Sequence, residues 1–269
     1  MKQKVLLAAI IFLAATALVQ AQEELHGTFD LTYQSKYVWR GFDIYGDKSA
    51  IQGALNLDLY GTGFGIGVMG HRANSSKYEN GERWDYSLYY RNAIFGGETY
   101  MTQYMLGWVY YNYPDNSRKI ADIQEAHLIM SWPEILPVED LVPTYVLVKL
   151  WPSGTSTVVG SASPSTGTAS GFAHIFMLDY PLPIEDLLPE LPEQVLKLHT
   201  EFVYNDGVGP GGQNIDHDWT NGVFGVTTDF ELAENITLTP GVHYQITMDK
   251  SANDDQDELW CTLGMKYSF

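Results

Sequence analysis

Cysteine, basic charge and long apolar runs are all scarce in this sequence. A single cysteine, Cys261, stands among 269 residues, which excludes an intrachain disulfide framework and any zinc site built on thiolates. Lysine and arginine number 15 against 33 aspartates and glutamates, a net charge of −18, and that balance excludes the basic footprint of a nucleic-acid binder. Past the N-terminus no stretch approaches the roughly 20 apolar residues that a membrane helix requires. With 13 % aromatic and 18 % charged residues, the chain is too apolar to stay disordered. If it enters a bilayer, it does so as strands.

The N-terminus has Lys2 and Lys4, an apolar run from Val5 to Val19, and Val19 and Ala21 at the small-residue positions of a cleavage site. That pattern predicts a secretory signal peptide over residues 1–21, leaving 22–269 as one domain.

The mature chain repeats stretches of about ten residues with period-two alternation, closed by Gly, Pro, Asn or Asp clusters. At the C-terminus Leu259, Cys261, Leu263, Met265, Tyr267 and Phe269 share one face, and Trp260, Thr262, Gly264, Lys266 and Ser268 the other. Val146, Val148 and Leu150 read as an apolar face against Tyr145 and Lys149. The rhythm predicts about twelve strands, centred near residues 31, 56, 67, 88, 105, 128, 147, 175, 201, 225, 241 and 264. Long polar connections alternate with mostly short ones, two of them the proline-bounded segments 136–143 and 182–189. This predicts an all-β, antiparallel, up-and-down transmembrane β-barrel of the outer-membrane type.

Charge placement supports lipid, not water, outside. Asp30, Asp58, Asp85, Arg91, Glu125, Lys149, Asp179, Lys197, Glu201, Asp229 and Lys266 fall opposite the apolar face in their strands, as a bilayer demands. They are expected to line the lumen, together with His199 and His243 and with His71 and His127. His174 breaks the phase of its strand. Tyr37, Trp84, Trp108, Trp151, Trp219, Trp260 and Phe269 are among aromatics placed to form interfacial girdles.

The stretch from Leu31 to Ala73 resembles the opening of the Gcw_chp family of bacterial exported proteins, through Tyr33, Ser35, Tyr37, Arg40 and Gly41, the Ala50–Gly53 segment and the glycine-rich hairpin that follows. HTEFVYNDG at 199–207 is similar to that family as well. The resemblance implies an outer-membrane, porin-like barrel and supplies no substrate or catalytic residue.

Candidate chemistry is sparse. Ser131 and His127 lie in one strand, and Asp216, His217 and Asp218 in one loop, but neither spacing matches a nucleophile elbow or a metalloprotease helix; no enzyme, cofactor or metal is expected. Asp249, Ser251, Asn253, Asp255 and Asp257 alternate in the last long loop without the glycine and terminal glutamate of a calcium loop. With Asp43, Asp47, Asp216, Asp218 and Asp254 they would make the outer mouth negative and concentrate cations. Arg40 and Gly41 stand where the first strand ends, either shaping the first loop through a carboxylate contact and a bend, or as a solvated rim pair. The Ser-, Thr- and Gly-rich segment 153–171 is a candidate plug or a flexible loop.

These readings predict a porin-like channel for small polar or cationic solutes. A non-conducting barrel with a binding or envelope role is the second reading, and a rim hydrolase the third. Expected partners are outer-membrane lipid, small solutes and, through the terminal strand ending at Phe269, the barrel-assembly machinery.

Overall fold

The computed structural model describes residues 25–117, 121–153, 170–188, 191–206 and 217–269. Its strands are β1 (His26–Gln34), β2 (Val38–Trp39), β3 (Phe42–Asp43), β4 (Ala50–Asp58), β5 (Phe64–Ala73), β6 (Arg83–Ile94), β7 (Thr102–Asn112), β8 (Ile123–Ser131), β9 (Val142–Pro152), β10 (Gly171–Leu188), β11 (Leu191–Asp206), β12 (Asp218–Thr228), β13 (Phe230–Ala233), β14 (Ile236–Thr247) and β15 (Glu258–Ser268). Twelve of them form one antiparallel barrel in which sequence neighbours pair. Closure comes from β1 against β15, with Phe29 opposite Tyr267, and from β12 against β14, with Val223 opposite Gln245. Among the described residues the short β13 pairs with β14 alone, and β2–β3 is a separate hairpin in the first long loop. The signal-peptide segment lies outside the described residues, as does most of the candidate plug at 153–171.

Closure satisfies the backbone ladder without an edge, the condition for crossing hydrocarbon with strands. The side-chain pattern then decides which face meets lipid. Phe29, Leu31, Leu55, Ile66, Leu88, Leu106, Phe176, Phe224, Leu263 and Met265 are exposed although large and apolar; in water such a surface would be a liability, whereas lipid covers it. Inward glycines let bulky inward neighbours fit. A Cβ at Gly107 would overlap the His127 ring, and one at Gly65 the Tyr89 ring.

The inner face is less polar than the alternation predicts. On one wall Val109, Tyr111, Ile123, Val146, Val148, Leu150, Ile175 and Val203 are buried together inside the barrel. This reverses the faces expected for β9. Val146, Val148 and Leu150 point inward. Lys149 pairs with Ala126 and Phe172, and Ala126 with Trp108, so it shares the outward row of the exposed Trp108 and Phe172. Both faces of β9 are apolar, so hydrophobicity alone could not orient it. The segment at 182–188, expected as a turn, continues β10, with Leu182 opposite Leu196 and Ile184 opposite Gln194. Tyr37 and Trp260, expected in the girdles, are buried at 4 % and 8 % exposure, Tyr37 in the first long loop and Trp260 inside the barrel against His243.

Candidate functional site: the stoppered mouth

The first long loop, residues 35–49, turns back into the barrel at the long-loop rim. Its β2–β3 hairpin pairs Val38 with Asp43 and Trp39 with Phe42, leaving Arg40 and Gly41 as a two-residue tip. Both have positive φ, 49° and 90°, the backbone that a tight hairpin with the twist of its strands requires. Glycine adopts it freely, arginine at a cost.

The tip is held from around the wall. The Arg40 guanidinium donates to Glu125 Oε2 at 2.5 Å, and Tyr111 Oη donates to the same oxygen at 2.7 Å. Trp39 packs edge-on to Tyr111, with the Arg83 guanidinium 4.0 Å from its ring centroid. Arg83 also donates to Tyr37 Oη at 3.0 Å and, through two nitrogens, to Asp85 at 2.6 and 2.9 Å. Asp85 meets His71 Nε2 at 2.7 Å, and Gln52 reaches His71 Nδ1 at 3.0 Å. On the opposite side Gln245 Nε2 donates to Gly41 O at 2.9 Å, and Asn253 Oδ1 accepts from the Asp43 amide at 2.8 Å.

A second anchor sits at the base of the loop. Lys36 Nζ donates to Glu258 Oε2 at 2.7 Å and also pairs with Asp47. The two carboxylates, mainly through hydrogen bonds, push the Lys36 pKa up, and Lys36 holds Asp47 below its ordinary value. Burial raises the Asp43 pKa, although the Asp47 and Tyr45 amides donate to its carboxylate and oppose the rise. Burial also works against the Arg40 charge, but the field of Glu125 and Tyr111 outweighs it and the pKa lies above the ordinary value. Asp43, Asp47 and Glu258 bring carboxylate oxygens within 4.8 Å of one another; the Lys36 ammonium already bridges two of them.

The docked tip leaves polar atoms without partners among the described residues: Arg40 Nη1, Gln245 Oε1, and both side-chain polar atoms of Asn221. Asn221 and Gln245 are fully buried, and a Cβ on Gly41 would lie 2.5 Å from Asn221 Oδ1. Each such orphan costs about 1–3 kcal/mol. The Arg40–Gly41 tip itself therefore sits in a polar, incompletely satisfied seat, while the flanking loop packs through apolar clusters, Tyr37 and Tyr45 with Ala50 and Ala73, and Phe42 with Ala252.

Below the tip the lumen opens. A cavity of about 420 Å³ is lined by Asn56, Asp58, Ser87, Tyr89, Arg91 and His127, among others. Arg91 reaches Asp58 Oδ2 at 2.5 Å, Lys197 pairs with Asp229, and Lys266 stands opposite Asp30 in the register. His199 meets Asp179 at 2.7 Å and Glu201 at 4.0 Å, while His243 stacks on Trp260 and contacts Thr262 Oγ1 at 3.2 Å. These residues, with Asp85 and Glu125, are on the inner face; Lys149 is not. Of the expected acidic mouth, Asp218, Asp254, Asp255 and Asp257 are exposed at the long-loop rim with the partly exposed Asp249, Asp43 and Asp47 belong to the inturned loop, and Asp216 lies outside the described residues. Local donors engage several of these groups: Ser251 donates to Asp249, and Tyr244 and the Thr247 amide donate to Asp257. Ser131 Oγ bonds Thr144 at 2.8 Å, whereas His127 turns to Glu125 at 3.1 Å. His217 meets Asp206 at 2.5 Å on the surface.

Sequence reasoning named Arg40 and Gly41 but left their role open between a carboxylate contact and a solvated rim pair. It missed Trp39, Arg83, Asn221 and Gln245. Their partners come from distant strands, and a single sequence carries no signal for such pairs.

No protein-family model matches the chain, and no curated protein matches it. Among solved structures, the NanC porin aligns with a TM-score of 0.53 at 9 % identity, covering 89 % of this chain and 98 % of that one. An outer membrane channel from Pseudomonas putida F1 aligns at 0.48 and 12 % identity, covering 91 % and 95 %. LpxR from Salmonella typhimurium aligns at 0.45 and 8 %, covering 89 % and 99 %. The first likeness concerns the fold, and it agrees with the closed ladder and the exposed apolar belt: the chain is a twelve-stranded bacterial outer-membrane β-barrel.

Proposed function

We propose that the protein is a porin-like outer-membrane channel for small polar or cationic solutes, whose own first loop stoppers the outer mouth. The observation that carries this reading is the polar, under-satisfied seat of the Arg40–Gly41 tip above a cavity into which Asp58, Arg91 and His127 reach. Barrel interiors are polar whether open or plugged; what favours a removable stopper here is that its seat leaves buried polar atoms without partners among the described residues. Here withdrawal of the tip rehydrates Asn221, Gln245 and Arg40, which offsets part of the lost Arg40–Glu125 attraction. Exposed carboxylates around the rim would raise the local cation concentration. The NanC porin of similar fold makes a channel a reasonable occupant of this architecture. The resemblance of the opening motif to the Gcw_chp proteins supports this reading, in which catalysis has no part.

Reversal potentials across bilayers holding the refolded barrel under a salt gradient test the solute class. Cation preference is expected, reduced when Asp249, Asp254, Asp255 and Asp257 are changed together to Asn. Anion preference, or selectivity unmoved by those changes, would count against the acidic mouth. The second reading, a non-conducting barrel, draws its support from the same stopper and predicts silence in every recording.

A further inference from the structure

One charge stands on the wrong side of the wall. Among the described outward side chains of the barrel strands, Lys149 is the charged one away from a strand end. Arg72, next to the terminal Ala73 of β5, is paired with Glu82 at 3.1 Å. A basic group facing lipid costs roughly 2–4 kcal/mol at the midplane and about 0–1 kcal/mol at the interface. Lys149 lies three residues from the long-loop end of β9, at interfacial depth. Its ammonium is 4.3 Å from the Phe172 ring centroid and 3.4 Å from Ser170 Oγ. Farther down the same outward face the Tyr145 hydroxyl and His174 Nδ1 are 2.7 Å apart. Phe176 and Trp219 follow across the sheet, their rings 5.7 Å apart and both exposed.

We propose that this patch docks the phosphate headgroup of an anionic lipid in the leaflet at the long-loop rim. The charge is complementary: a cation without an ion-pair partner among the described residues, on a chain of net charge −18, recognises an anion by a charge-assisted contact. Ser170 supplies a hydrogen-bonding group beside it, and the Tyr145–His174 pair offers polar atoms farther down the same face. The flanking Phe172, Phe176 and Trp219 surfaces suit acyl chains and the headgroup boundary, which selects a lipid over free phosphate. The proposal rests on the barrel and is independent of conduction.

Native mass spectrometry of the full barrel in detergent tests it, with a bisphosphorylated lipid A, the same lipid dephosphorylated, and inorganic phosphate as probes. The phosphorylated lipid should remain bound, Lys149→Leu should lower its occupancy about tenfold, as losing one such contact implies, and Lys149→Arg should retain it. Lys149→Leu puts an apolar side chain against lipid, so heat-modifiable migration in gels should be unchanged. Equal occupancy in Lys149→Leu, equal binding of the dephosphorylated lipid, or displacement by inorganic phosphate would each overturn the proposal.

Discussion

Arg40 and Glu125 are 85 residues apart in the chain and 2.5 Å apart in space, inside the barrel mouth. Their side chains are 14 % and 3 % exposed, so neither charge has bulk water to fall back on. Removing one partner leaves the other buried and unpaired, at a cost of about 3–5 kcal/mol to the docked loop. Arg40→Ala and Glu125→Ala should each raise channel open probability strongly. The double variant should fall well short of the sum of the two in a double-mutant cycle on thermal stability, because both singles lose the same contact.

Gly41 and Asn221 make a second, steric test. Alanine at 41 needs a φ of 90° and meets the Asn221 amide, so Gly41→Ala should weaken loop docking by about 1–3 kcal/mol. Asn221→Ala removes two buried polar atoms that lack partners among the described residues, and should be neutral or stabilising. Denaturation midpoints of the refolded barrels check both signs, and a large loss for Asn221→Ala would show that the amide is engaged after all.

Acid should loosen the base of the loop. Asp47 has a folded pKa below its ordinary 3.8 because of Lys36, so its contribution is present above that value and disappears as pH falls through the lowered one. Asp43, raised by burial, acts with the opposite sign: protonation relieves its desolvation. Open probability should therefore rise as pH drops below about 4, more steeply in Asp43→Asn, and with a blunted pH response in Lys36→Met. A pH-independent Asp43→Asn channel would contradict this.

Inside the wall, Gly107 makes room for His127. Gly107→Ala should lower thermal stability by about 1–3 kcal/mol through overpacking, and His127→Ala in the same chain should recover most of that loss. Failure of the recovery, measured by heat-modifiable gel migration, would mean that the strand itself resists the methyl group.

The barrel was legible because lipid imposes a simple rule on each strand. Leu259 to Phe269 alternate faces as read, and their outward set is exposed. β9 escaped the rule because Val146, Val148 and Leu150 pack against one another inside while Tyr145, Leu147 and Lys149 face out; apolarity on both faces carries no direction. The stopper was legible only as the suggestive Arg40–Gly41 pair. Its seat depends on Glu125, Asn221 and Gln245, supplied by three strands, and that convergence is set by barrel closure, not by local spacing. The Ser/Thr/Gly-rich segment 153–171, a candidate plug or flexible loop from its composition, lies mostly outside the described residues; the stopper that is described is short, aromatic and ion-paired.

Single-channel recording of the wild-type barrel beside Arg40→Ala/Glu125→Ala in planar bilayers is the most direct test of a stoppered channel. The wild type should show small, infrequent steps and the double variant larger or longer ones, with both proteins migrating as folded barrels. Silence from both, or identical conductance in both, would contradict the account.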